Sequence, residues 1–545
     1  MFKVVSIFLL LVVCAALLIL SPTIALAAPA DSLDRKSQGI AWETFSDNNS
    51  DAIFARAKAS GRPVFLYWGA VWCPPCNQVK ANVFNRSDFI AKSRLFIPVY
   101  LDGDSKGAQR LGAQFKVTGY PTMVLLNVEG NELTRLPGEV DAAKYMQVLD
   151  LGLKARRPIK DVLEAALGTA ATRATLLAAD WRLLAFYSWD TDASTLIKPD
   201  TLAQTLNSLG NVVPNDLKDL RDRIRLRALG ADASAKATKF VFTDSINSLL
   251  TKLLNDRTMS KQNMDLVLYQ ADPILKAIAA DHPAKAAQLG QLWMKALDSL
   301  FADASLSTPD RLNAAAVRFS VARLDLTGKS SHATDQAAKN ALVPVSPDLV
   351  GYARNAVNIA IRAATDPTQR QAVVPAAAEL LAEAGLLDES DAMLKAELPK
   401  AIAPYYHMLG LAENAKTRKD NKIAIDWASK AWETSKGSAT RLQWGASYIN
   451  YLIDLSPSDN ARIERTALAI IAELEPVPDT FYGRSARSLK RLGTKLNAWN
   501  KSSAHRASFE VVQAQLSSVC KSLPAKDQSR ATCDSVFVID SKSIE

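Results

Sequence analysis

Two cysteines stand three positions apart in Trp72-Cys73-Pro74-Pro75-Cys76. The thiolate is the nucleophile of disulfide exchange, and an ordinary thiol, with a pKa of about 8.5, is mostly protonated at neutral pH. A helix starting at this point would offer unpaired N–H groups and a partial positive charge, both favouring Cys73 as thiolate. With two residues between them the second sulfur can reach the first. Cys76 can therefore attack a mixed disulfide held on Cys73 and release the partner. The same spacing is also half of a zinc site, but zinc needs further ligands. The remaining cysteines lie in the leader or near the C-terminus, and the four histidines (His282, His332, His407, His505) are dispersed. An inert structural pair is the third reading. Cys520 and Cys533 form a second close pair, read as a structural disulfide, with an internal redox partner for Cys73 as the alternative. No glycine-rich phosphate loop occurs, so no nucleotide, flavin or metal cofactor is expected.

The elements that must hold this chemistry are legible as patterns. Pro63 to Gly69 is a continuous apolar run of strand length, expected to be buried on both faces. Cys73 to Lys92 reads as a helix whose first turn accepts the prolines. A helix over Asp51 to Ser60 precedes them. After them come a strand over Leu95 to Leu101, a helix over Lys106 to Phe115 and a strand over Thr122 to Asn127. A turn leads into Glu132 to Leu136, and Asp141 to Leu153 closes the unit as a helix. This order predicts a mixed-sheet α/β unit.

The chain has 545 residues, too many for one ordinary core. Hydrophobic residues make up 48% and charged residues 22%, which excludes a largely disordered chain. Ten of the 22 glycines fall in the first 154 residues, so loops and strands concentrate there. We divide the chain into a leader (1–27), a linker (28–50), the α/β domain (51–153), a joint (154–160), an all-α domain (161–503) and a C-terminal helix and tail (504–545). Lys3, the apolar run Val4 to Leu20 and Ala25-Leu26-Ala27 read as a secretory signal peptide. The periplasm is the expected compartment, with an uncleaved signal anchoring the protein in the inner membrane as the alternative. Cys14 follows Val13, a poor fit to a lipoprotein signal.

A second element completes the redox reading: Thr118-Gly119-Tyr120-Pro121-Thr122, just before a strand. With Trp72 to Cys76 it makes residues 45–152 resemble thioredoxin-fold oxidoreductases, and the secreted branch that includes the periplasmic domain of membrane thiol reductases in particular. The resemblance implies a thioredoxin fold in which Pro121 is cis and packs beside the redox pair. It also implies that Tyr120 pairs its backbone with substrate and that Trp68 and Trp72 supply the aromatic surroundings. One position departs from the pattern. Thioredoxin carries a buried Asp six residues before its first cysteine, and here that position is Tyr67.

Beyond residue 160 the sequence is Ala/Leu-rich with helical periodicity. It reads as an α-solenoid or helical-hairpin array, with tetratricopeptide-like pairs near 370–455, or as an irregular bundle. The basic stretches Arg221 to Arg227 and Arg484 to Lys495 read as solvated helix faces, with an acidic lipid or partner as the alternative. Tyr405, Tyr406, Trp427, Trp432, Trp444, Tyr448 and Tyr451 read as helix packing or the lining of a peptide groove. The expected function is exported thiol–disulfide exchange with protein thiols and disulfides. Cys73 and Cys76 are catalytic, and Trp72, Tyr120 and Pro121 dock substrate. A membrane thiol reductase or oxidase is the expected electron partner, the helical domain binds a protein or peptide, and nucleic acid is not expected. The rival reading is an envelope scaffold or chaperone that uses the α/β unit as a docking module.

Overall fold

A computed structural model describes residues 39–45, 50–138, 141–192, 194–235, 240–326 and 345–538. The expected leader 1–27 with Cys14, most of the linker, His332 and the last residues of the tail lie outside the described residues.

Five strands form one sheet in the order β1-β3-β2-β4-β5. They are β1 (Glu43–Thr44), β2 (Val64–Gly69), β3 (Ile97–Asp102), β4 (Thr122–Leu126) and β5 (Glu132–Leu136). All six residues of β2 are buried, as its unbroken apolar run requires of a central strand. β2 runs parallel to β3 and antiparallel to β4. The antiparallel register sets Trp68 opposite Thr122. The end of β2, which leads to Cys73, is thereby brought beside the start of β4, which follows Pro121. Helices α1 (Ser50–Ser60), α2 (Pro74–Val79), α3 (Ser87–Lys92), α4 (Ala108–Gln114) and α5 (Ala142–Leu153) complete the unit.

Two local differences from the sequence reading have clear causes. Residues 40–45 fall in the expected linker, yet β1 pairs parallel with Val99 and Tyr100 of β3. Ile40 and Phe45 are each 3% exposed, so the apolar side chains of this short stretch draw it into the core. The expected single helix over 73–92 is split into α2, a π turn over Lys80–Phe84, and α3. The Asn85 N–H bonds back to the Lys80 carbonyl, five residues earlier, which breaks the α-helical ladder.

The rest is helical. The joint at 154–160 does not separate two cores. Phe65, Tyr67 and Leu125 of the sheet share one apolar cluster with Ile159, Val162, Trp181 and Leu184 beyond it. The stretch Arg221 to Arg227 is not a solvated face throughout. Arg223 and Arg227 are buried because Asp265, on the short helix Met264–Tyr269, accepts from both guanidinium groups. From Pro367 onward the helices Pro367–Glu383, Leu387–Glu397, Pro404–Thr417, Asn421–Thr434, Ser438–Leu455 and Asn460–Ala472 each pack on the next.

Cys520 and Cys533 are bonded (Cα–Cα 5.6 Å) and join the helix Arg506–Lys521 to Gln528–Asp534. Each is 1% exposed. For a loop of 13 residues the chain-entropy argument gives about 3 kcal/mol. Cys520→Ser is expected to lower the denaturation midpoint of the C-terminal helices accordingly. Hydrogen exchange of residues 506–534 reads this directly, and unchanged protection would show that the bond adds nothing.

Candidate active site

The site is assembled from two loops that the sheet register brings together. Cys73 is the N-cap of α2, with Pro74 and Pro75 in the first turn. Its sulfur accepts the Cys76 N–H at 3.2 Å and is bonded to Cys76 Sγ, with the two Cα atoms 5.2 Å apart. Asn77, itself buried, clamps the loop by donating from Nδ2 to the carbonyls of Val71 and Cys73, both at 2.9 Å. From the second loop, the Tyr120 carbonyl oxygen lies 3.6 Å from Cys73 Sγ, and the Tyr120–Pro121 peptide is cis. Cys73, Cys76, Trp72 and Tyr120 therefore share one small cluster. Once the disulfide is opened, the same N–H and helix start favour the Cys73 thiolate. Cys520 and Cys533 belong to a different apolar cluster.

At the position where thioredoxin has its Asp, Tyr67 is buried and stacks on Tyr100 with ring centroids 5.2 Å apart. Tyr100 Oη donates to Asp102 at 3.0 Å. Burial is the main cause that raises the Asp102 carboxyl above the usual carboxylate range.

The profile of the thioredoxin-like domain family matches residues 51–152. Residues 51–152 are a thioredoxin-like domain. Over 100 residues the chain is 33% identical to the thiol:disulfide interchange protein DsbD 2 of Pseudomonas aeruginosa, covering 18% of this chain and 17% of that protein. This chain thus spans less than a fifth of the length of that relative. Over 131 residues it is 26% identical to the disulfide bond reductase DsbH of Chlamydia pneumoniae, covering 21% of this chain and 74% of that protein. A solved structure of DsbH oxidoreductase aligns with 25% of this chain and 96% of its own, at 21% identity and a TM-score of 0.19. The bonded Cys73–Cys76 pair and these relatives are consistent with thiol–disulfide oxidoreductase chemistry in the thioredoxin-like domain. No helix among the described residues is long and apolar enough to cross a membrane.

What motif reasoning missed is how much of this domain's redox face the helical region covers. Cys73 is 2% exposed and Cys76 0%. The Trp72 indole packs against Tyr406 (6.0 Å, stacked) and Trp444 (4.9 Å, edge-on) and donates from Nε1 to Thr440 Oγ1 at 3.0 Å. Gln371 donates to the Trp72 carbonyl and accepts from the Ala403 N–H. Arg484 is also buried, unlike the solvated residue expected. Its guanidinium lies over the rings of Trp72 (5.4 Å) and Tyr120 (5.3 Å), which hold it out of water. Val71, Pro75, Thr118 and Gly119 stay exposed.

Helix ends seal this contact. Asp104 accepts from the Thr440 N–H at 2.7 Å, capping the helix Ser438–Leu455 from the thioredoxin-like domain. The Gln109 side chain accepts the Arg484 N–H at the start of the helix Gly483–Trp499. In return, Asp479 accepts the Arg110 N–H at the start of α4. Two glycines with positive φ permit the approach. A Cβ on Gly437 would stand 2.3 Å from Asp104 Cγ, and one on Gly483 would stand 2.7 Å from Gln109 Oε1.

Proposed function

We propose that this protein is an exported thiol–disulfide oxidoreductase acting on protein substrates, with its helical region controlling access to the Cys73–Cys76 pair. The observation that carries the reading is Cys73 Sγ, held at a helix start, bonded to Cys76 and set against the Tyr120 carbonyl. In the reducing direction the Cys73 thiolate attacks a substrate disulfide and releases one substrate thiolate. The Cys76 thiolate then attacks the Cys73 sulfur and releases the second. The substrate gains two electrons and the pair loses two. The oxidising direction is the reverse. Trp72, Tyr120 and Pro121 form the docking face, and a membrane thiol reductase or oxidase resets the pair. The leader-like N-terminus and two close cysteine pairs favour an oxidising envelope compartment such as the periplasm. The Cys520–Cys533 bond serves as a structural staple in this reading. Equilibration with glutathione tests the proposal. A potential near that of thioredoxin identifies a reductase, and a pair that never exchanges with glutathione overturns the reading.

The coverage of Trp72 supports access control by the helices and yields a prediction. Thr440 accepts from Trp72 and donates to Asp104, so the isosteric Thr440→Val leaves both short of a partner. Losing about 1–2 kcal/mol of this closure is expected to speed reduction of the Cys73–Cys76 bond by dithiothreitol roughly tenfold. Thermal melting by circular dichroism separates this from unfolding. An unchanged rate would instead favour the rival reading, a helical-repeat scaffold that holds the thioredoxin-like domain as a docking module.

A further inference from the structure

A cavity of about 510 Å³ lies against Trp72 on its helical side. Trp72, Tyr406, Trp444 and Tyr451 supply its aromatic wall. This wall already receives cations: Lys416 Nζ stands 5.4 Å from the Tyr451 ring centre, and the Arg484 guanidinium lies over Trp72. Glu379 and Glu413 line the cavity and remain exposed, and neither forms an ion pair among the described residues. Tyr451 Oη donates to Glu413 at 2.8 Å, which orients that carboxylate. His407 also lines the cavity. It is 1% exposed, and neither of its ring nitrogens has a hydrogen-bond partner. Burial, the largest cause, pushes the imidazole down to about 4. It is therefore neutral at pH 7, and with both ring nitrogens shut away from the cavity it adds wall but no hydrogen-bonding group.

These features select an occupant by its chemistry. An anion would meet the carboxylates of Glu379 and Glu413. A purely apolar group would take water from the two carboxylates and return no donor. A cation bearing N–H donors satisfies both features: the ring faces attract its charge and the carboxylates accept its protons. We propose that this cavity takes the guanidinium or ammonium of a basic residue in the protein segment that exchanges disulfides with Cys73. The inference rests on the redox reading above for the identity of that segment. Trp72 is both part of the cavity wall and the residue before the nucleophile, so a basic side chain seated here holds its own backbone close to the reacting sulfur.

The test is calorimetric titration of the full chain with N-acetyl-glycyl-arginyl-glycinamide and with its neutral citrulline counterpart. The arginine peptide is expected to bind at least about tenfold more tightly, and the double variant Glu379→Gln with Glu413→Gln to lose that preference. Both glutamates are exposed, so the double variant should fold. Equal binding of the two peptides overturns the inference. Binding of free N-acetylarginine methylamide as tight as that of the peptide also overturns it, by making the occupant a small cation and not a chain segment. Cys73→Ser separates the two claims, since it should abolish exchange and keep the arginine preference. If the unmodified chain prefers arginine but never exchanges disulfides, the redox reading fails and the cation site stands. If it exchanges disulfides without the preference, the site alone fails.

Discussion

Cys73→Ser abolishes disulfide exchange, by roughly a thousandfold or more, and Cys76→Ser accumulates covalent adducts through Cys73: these are the expected results with the largest effect on activity. They follow from the unequal places of the two sulfurs. Cys73 caps α2, accepts the Cys76 N–H and lies against the Tyr120 carbonyl. Cys76 is fully buried beneath it. Cys73 is itself only 2% exposed, so its place at the helix start beside the Tyr120 carbonyl, not exposure, marks it as the sulfur that meets substrate, with Cys76 resolving the adduct from within. With Cys76→Ser the second attack is lost and the mixed disulfide persists. Non-reducing electrophoresis of thiol-trapped envelope fractions checks this, and a Cys73→Ser/Cys76→Ser control removes adducts made elsewhere. Because the helices cover Trp72, adding Thr440→Val to Cys76→Ser should speed adduct formation. Adducts that form through Cys520 or Cys533 instead would refute the assignment of the nucleophile.

The largest expected effect on stability lies far from the cysteines. Asp265→Ala is expected to cost about 3–5 kcal/mol, because it leaves the buried Arg223 guanidinium with no counter-charge and takes one of two carboxylates from Arg227, which keeps Asp190. Asp265 accepts from Arg223 through both oxygens (3.0 and 2.7 Å) and from Arg227 at 2.5 Å. Arg223 also donates to the Ala185 carbonyl and to Asn263, and its guanidinium lies 4.1 Å from the Phe186 ring centre. Burial alone would raise the Asp265 carboxyl, but the charges of Arg223 and Arg227 outweigh it and hold the group at about 2, below its ordinary 3.8. A carboxyl depressed on folding contributes stability that is complete above the unfolded value. That contribution disappears as pH falls from about 4 towards 2. Urea denaturation at pH 7 and pH 3 should therefore show the variant's deficit shrinking at the lower pH. A deficit below about 1 kcal/mol at pH 7 would mean that the triad is balanced by its own desolvation.

How far such features are legible depends on how local their causes are. The central strand showed itself as Pro63 to Gly69 because burial on both faces demands an unbroken apolar run. The later helices appeared through their periodicity. Tyr67 stood out because a single position departs from a known pattern. In contrast, Arg223 and Arg227 look like any charged helix face until Asp265, about forty positions on, is folded against them. The linker reading failed at residues 40–45 because a two-residue edge strand has too few positions for an alternation to register.

The sequence by itself determined the thioredoxin-like domain and singled out the two cysteines whose spacing allows exchange, since nucleophile, helix start and adjoining strand are neighbours along the chain. Only the tertiary structure decided what stands over them. Trp72 meets Thr440, Gln371 and Arg484 across some 300 to 400 positions, and Asp104 caps a helix that begins at Ser438. Contacts of that span leave no local period, because each side chain satisfies its own helix or loop and its partner is chosen by packing alone.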